Sequence, residues 1–227
     1  MLPVVRVEAQ RAGTWPAVPA GYPLRDLAER RFDAASGLHA TTAFALELDA
    51  AGIPWLAADD GLYQYVDGMW RRDATLDEFA LQQVRSLLIS ADGTKWLGTR
   101  RGIVRRTGRG ASQVFRESDG LPGRVVYSLV ESRALDGTRR LIAGASNGIA
   151  FFNGTRFTPV PLPALHAPWV GAMVADGVDP QGAPALWVAN SSGGVARYAA
   201  GQWTTFEEAQ GLTGRDAQFI LPVGSGS

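Results

Sequence analysis

Five arginines fall within ten residues, at Arg100, Arg101, Arg105, Arg106 and Arg109. Guanidinium groups pair bidentately with carboxylates and phosphates, so such a cluster suits an anionic ligand. Nucleic acid would require interleaved aromatics and a basic domain overall. The chain instead has zero formal net charge over 227 residues, and an acidic pair, Asp59-Asp60, occupies the sister position in another copy of the same motif. The cluster therefore reads as a solvated or anion-touching face, and nucleic acid is not an expected partner.

Other candidates for chemistry weaken on inspection. Gly144-Ala145-Ser146-Asn147-Gly148 fits the Gly-x-Ser-x-Gly pattern of a nucleophile elbow. That elbow needs a strand-to-helix turn and two partners, whereas the flanks here read as two strands, so a plain hairpin is expected. His39 and His166 are the only histidines, too few for a zinc site, and no metal is expected. Ser90 to Trp96 resembles the Asp-box turn of glycosidase propellers, one residue short, in which the carboxylate accepts nearby backbone N–H groups. Asn153-Gly-Thr and Asn190-Ser-Ser are glycosylation sequons by pattern, but Asn153-Gly154 is better explained as a type I′ turn. There is no cysteine, which removes disulfides and thiolate chemistry. No phosphate loop, zinc-protease helix motif or dinucleotide fingerprint occurs, and no cofactor is expected.

The elements that must position these residues are set by a repeat. A large apolar residue, five residues and a glycine recur from Trp55, Trp96, Ile142 and Trp187, spaced 41, 46 and 45 apart. In the last copy the glycine is Gly193, with Gly194 delaying the next aliphatic by one. A second register, Phe-x4-Gly-Leu, begins at Phe32, Phe115 and Phe206. A third is an apolar strand before each Trp or Ile, whose third residue is small: Ala45, Ser86, Ser128 and Ala172. Residues 217–221 begin a fifth copy, in which Phe219 breaks the small-residue rule. Asp92-Gly93 between apolar runs predicts a tight hairpin of type I′.

Units of about 40–45 residues holding four short strands predict an all-β β-propeller of four-stranded antiparallel blades. The apolar strand should be innermost and buried on both faces. Blades are expected over residues 40–80, 81–124, 125–167 and 168–214, within one domain of residues 1–223. Residues 1–36 and 215–223 together are about one more unit, so a fifth, shared blade closing the ring is favoured over an arc of a larger ring. Within the first part, residues 4–9 suit a strand, 13–23 a loop and 24–32 a short helix or an outer strand, the Phe32 register favouring the strand; residues 224–227 form a flexible tail. The middle hairpins and the blade crossings share one face, whose chemistry varies while the fold signals stay fixed. That face is where a ligand is expected, with Asp59, Asp60, Arg100, Arg101, Arg124, Asn147 and Arg215 as the candidate binding residues. Trp55, Trp96 and Trp187 are expected to pack between blades.

The copy Trp96-Leu97-Gly98-Thr99-Arg100-Arg101-Gly102-Ile103, followed by Asp119-Gly120-Leu121-Pro122, resembles the two-component regulator propeller repeat. Trp55 to Leu62 with Asp67-Gly68 is nearly as close. The resemblance spans roughly residues 27–223. It implies a periplasmic or extracytoplasmic sensor, small-molecule or oligosaccharide recognition and a homodimer. It also implies an output histidine kinase or diguanylate cyclase domain outside this chain.

No apolar run approaches the roughly 18 residues of a membrane helix, and residues 2–5 are too short for an export signal. The expectation is thus a ligand-sensing module of a bacterial signal-transduction protein. The alternatives are a propeller enzyme such as a glycan lyase or hydrolase, for which Asp59 with His39 is the nearest acid/base pair, and a scaffold for protein partners.

Overall fold

The computed structural model describes residues 32–77, 83–134, 137–163, 169–179, 182–190, 193–206, 208–212 and 217–220. The elements expected before Phe32, His166, Ser191, Ser192, Arg215 and the tail lie outside the described residues, as does most of the expected fifth blade. Two units are distinguished, Met1–Phe32 and Asp33–Ser227, and every element below belongs to the second.

Sixteen strands are described. Blade one holds β1 (Ala43–Leu48), β2 (Pro54–Ala58), β3 (Gly61–Val66) and β4 (Met69–Arg72). Blade two holds β5 (Val84–Ile89), β6 (Lys95–Thr99), β7 (Gly102–Arg106) and β8 (Ser112–Phe115). Blade three holds β9 (Val126–Arg133), β10 (Arg139–Ala145), β11 (Gly148–Phe152) and β12 (Phe157–Val160). Blade four holds β13 (Ala172–Val178), β14 (Pro184–Asn190), β15 (Gly194–Ala199) and β16 (Gln202–Phe206). Each blade is an antiparallel meander in chain order. The first strands of successive blades are neighbours: β1 with β5, β5 with β9, and β9 with β13. Trp55, Trp96, Ile142 and Trp187 hold one station, paired across to Glu47, Leu88, Val130 and Val174 of the first strands. These are β-propeller blades, as the repeat predicts.

The core differs from expectation in one respect. The continuously buried run is the second strand, not the first: Trp55 to Ala58, Trp96 to Thr99 and Leu141 to Ala145 are buried throughout. First strands are only partly covered, and Leu46 is 38% exposed. A second strand has hydrogen-bonded strands on both edges and is sandwiched between blades. A first strand ends its sheet, so one edge has no strand partner. Three hydrophobic clusters lie at the seams. One joins Trp55, Leu62 and Leu76 to Leu97 and Val104. The next joins Trp96 and Phe115 to Leu141 and Phe157, and the third joins Ile142 and Ile149 to Leu186 and Val188. Each large side chain buried this way contributes about 1.5–3 kcal/mol.

Both glycine registers have steric causes. At Gly102 (φ 111°) an added Cβ would lie 2.1 Å from the Phe115 carbonyl oxygen of the same blade. At Gly120 (φ 95°) it would lie 1.9 Å from the Phe157 oxygen of the next blade. Only a residue without Cβ fits either place. In blade four the role expected of Gly193 falls to Gly194, which pairs with Asn190 as Gly102 pairs with Thr99.

Two turns also differ. At Asp92-Gly93 only Gly93 has positive φ, so the turn is not type I′. The Asp92 carboxylate closes it, accepting the Thr94 N–H (2.9 Å) and hydroxyl (3.0 Å), as an Asp-box does. Asn153-Gly154 is likewise a longer loop, in which the Asn153 side-chain oxygen accepts the N–H groups of Thr155 and Arg156. Asp67-Gly68, with φ of 51° and 81°, and Ala200-Gly201, with φ of 52° and 75°, are two-residue turns of positive φ.

Past blade four, the Ala217 N–H donates to the Asn190 carbonyl (3.2 Å). One blade earlier the Val170 N–H donates to the Ala145 carbonyl in the same way (3.1 Å).

Candidate functional site

The crossing face takes its shape from a repeated bulge. Pairing of first and second strands skips Phe44 in blade one, Arg85 in blade two and Tyr127 in blade three. The small residue that follows sits opposite another: Ala45 with Ala57, Ser86 with Gly98, Ser128 with Gly144 and, in blade four, Ala172 with Ala189. The pairing lets the next blade approach. A Cβ on Gly98 would meet Ser86 Oγ at 2.1 Å and Val126 Cγ1 at 2.9 Å.

A bulge re-aims the extra side chain. Here the three bulge residues meet. The Arg85 guanidinium lies 5.2 Å from the Phe44 ring centroid and 5.5 Å from that of Tyr127. The Tyr127 ring lies 5.2 Å from that of Trp169, which extends the row toward blade four. Arg85 Nη2 donates to Gln83 Oε1 (3.2 Å), and Arg85 Nε is buried with no hydrogen-bond partner. All four ring or guanidinium residues are half-buried. The row had no sequence signal of its own, because the three bulge residues share no chemistry; the small residue after each was the only marker of their place.

Of the expected binding residues, Arg101 and Arg124 come together with Gly102, Arg116 and Glu117 around a cleft of about 260 Å³. Arg100 Nη1 reaches Gln83 Oε1 (3.5 Å) and so adjoins the Arg85 row. Asn147 is exposed beside the blade crossing, its N–H 3.3 Å from where a Cβ on Gly123 would sit. Arg215 lies outside the described residues.

Asp59 is committed to its own blade, and Asp60 through one of its two oxygens. The Asp59 carboxylate accepts the Thr41 hydroxyl and the N–H groups of Thr41 and Thr42. The Thr41 hydroxyl leads in holding its carboxyl below the ordinary value, against an opposing effect of burial. Asp60 accepts the Tyr63 hydroxyl at 2.6 Å. Burial first, and then Asp60, push the Tyr63 phenol up to about 12. An aspartate kept ionised by its turn is poorly placed to act as an acid with His39, whose side chain is exposed. Ser146 sits in the plain hairpin between β10 and β11. Asn190 is buried and donates through Nδ2 to the Trp169 carbonyl (2.6 Å), so it is no glycan acceptor in the folded protein. Among the described residues no group of three or more His, Cys, Asp or Glu is placed to hold a metal.

A larger cleft, about 820 Å³, opens on the opposite face between blades two and three. Its floor includes Trp96 and Phe152, with ring centroids 5.1 Å apart. Arg105, Glu131, Arg139 and Arg140 line it, and none of these was singled out for this face by sequence. Ser90 donates its hydroxyl to Glu131 across the seam, and Arg139 pairs with the other oxygen of Glu131 at 3.0 Å.

No family model matches the sequence, and no curated protein matches it. Solved structures do match the fold. The extracellular domain of BT3049 from B. thetaiotaomicron, described as a hybrid two-component system, superposes with TM-score 0.65 at 15% identity, over 82% of this chain and 27% of that one. The extracellular domain of BT4673 from the same organism, described as a one-component system, gives 0.50 at 18% identity, over 74% and 28%. Virginiamycin B lyase from Staphylococcus aureus, crystallised in an inactive form with quinupristin, gives 0.52 at 16% identity, over 75% and 57%. The chain thus spans about a quarter of the two signalling ectodomains it matches. Its fold is that of their propeller blades, in agreement with the resemblance carried by the repeat.

Proposed function

We propose that this chain is the ligand-sensing propeller part of an extracytoplasmic signal-transduction protein. A small molecule or oligosaccharide binds on the crossing face, and the signal passes, through a homodimer, to an output kinase or cyclase domain outside the chain. The observation that carries this reading is the row of bulge residues, Phe44, Arg85 and Tyr127. Three blades use one backbone device to present three different side chains at one place, beside Arg100. Variable chemistry on a fixed repeat is how repeat scaffolds build binding surfaces. Aromatic faces flanking a guanidinium suit a ring that also bears an acceptor or a negative charge. The likeness of the blades to the extracellular domains of a two-component and a one-component system supports the signalling role.

The test is a thermal-shift screen with oligosaccharides and small acids, repeated on Arg85→Ala and Tyr127→Ala. A ligand that stabilises the native protein, is recovered unchanged and loses its effect in both variants is the expected result. Stabilisation that both variants retain would overturn the placement. A second reading is favoured by the fold shared with a lyase: a propeller enzyme. It predicts product formation from the stabilising compound, and recovery of that compound intact rejects it.

A further inference from the structure

We propose that the cleft between blades two and three, on the face opposite the bulge row, is a second binding site for a small carboxylate carried on a six-membered ring. It is separate from the crossing-face reading above and stands without it. At about 820 Å³ the cleft lies within the range of small-molecule sites. Its floor is aromatic: Trp96 and Phe152 meet edge to face, with Phe115 and Phe157 packed behind. Trp96 is buried with Arg105 over its ring, so the half-buried Phe152 is the ring that takes the flat face of a sugar or benzene ring.

The charges in the cleft are unequally committed. Asp92 is occupied by the Thr94 N–H and hydroxyl. Glu131 is occupied by Ser90 and Arg139. The acidic groups are therefore spent on holding the walls. Arg105 acts on Asp92 through its charge, but its guanidinium lies 5.3 Å over the Trp96 ring and its Nε is buried with no hydrogen-bond partner. A buried N–H left without an acceptor is costly, and a carboxylate oxygen would satisfy it with a charge-assisted bond. Arg140 stands exposed at the rim and adds a second positive charge. Carboxylate toward Arg105 and ring on Phe152 is the orientation that uses both features. Because the walls belong to different blades, the ligand bridges the seam.

Isothermal titration of the whole chain with benzoate and with D-glucuronate tests this, with benzyl alcohol and D-glucose as neutral counterparts. At least one carboxylate is expected to bind with Kd below about 1 mM, and about tenfold more tightly than its neutral counterpart. Which of the two binds identifies the ring. Arg140→Glu, a surface change, and Arg105→Lys, which keeps the charge but removes Nε, should each weaken binding about tenfold. Arg85→Ala should leave it unchanged, so a failure here is distinct from a failure at the crossing face. The proposal is overturned if neither carboxylate binds below about 10 mM. It is also overturned if the neutral compounds bind equally well, or if folded Arg140→Glu and Arg105→Lys proteins both bind as the native one does.

Discussion

Blades one and two close the same turn after their first strands in different ways, and the cleft follows from the difference. In blade one the turn opens on Asp49. Its carboxylate accepts the N–H groups of Ala51 (2.9 Å) and Ile53 (3.0 Å) and the Trp55 indole N–H (3.0 Å). Blade four does likewise from Asp179, which accepts the N–H groups of Ala183 and Ala200 at 2.8 Å. In blade two the first position is Ser90, and capping moves to Asp92. In blade three it is Ala134, which has no side-chain acceptor, although the backbone pair to Thr138 is kept (2.8 Å). Ser90, freed from capping, bonds across to Glu131 instead. An aspartate at the first position locks a turn onto its own blade. Where two adjacent blades lack it, the seam is held by a longer polar bridge, and the 820 Å³ cleft lies beneath.

The contrast can be broken at several points. Gly98→Ala should do the most damage, because the new Cβ meets Ser86 Oγ and Val126 at the packed seam. A loss of about 3 kcal/mol is expected in urea unfolding, with part recovered by adding Ser86→Gly. Asp49→Ala comes next, stranding three donors including the Trp55 indole; about 2 kcal/mol is expected, against about 1 kcal/mol for Ser90→Ala. Equal losses for those two would reject the distinction between locked and bridged turns.

Acid should show the smallest effect. Burial tends to raise the Asp49 carboxyl, but the Trp55 indole, the turn N–H groups and Lys95 outweigh it and bring the value below normal. The Thr94 N–H leads in doing the same for Asp92, against burial. A carboxyl lowered on folding stabilises the native state above its unfolded value of 3.8, and that contribution fades as pH falls through the lowered folded value. Chemical denaturation from about pH 6 down to about pH 2 should therefore show a shallower acid loss in Asp92→Asn than in the native chain.

The blades were legible in sequence because their constraints are local and repeat. Gly102 and Gly120 must lack a Cβ, so the register shows directly in the letters. The shift from Gly193 to Gly194 was not readable, because either glycine satisfies the spacing and only the pairing with Asn190 decides. Burial was assigned to the first strand because its apolar run is long, but sheet-edge position, which composition does not carry, moves it to the second. The Arg100–Arg101 turn was correctly placed as a hairpin tip. Asp59 and Asp60 read as free acids because their partners, Thr41 and Tyr63, are set by the turn's three-dimensional path. The cleft lining was missed for a related reason: Trp96 faces Arg105 within blade two, but Glu131 and Phe152 come from the next blade.

The link from Ala217 to Asn190 repeats the one from Val170 to Ala145 and involves only main-chain atoms. It is indifferent to side-chain identity, and blades three and four each fix where the following segment starts whatever residue arrives. A seam joined in this manner carries no count of the units that come after it. Whole blades can be gained or dropped in such a chain without rewriting the joints that remain.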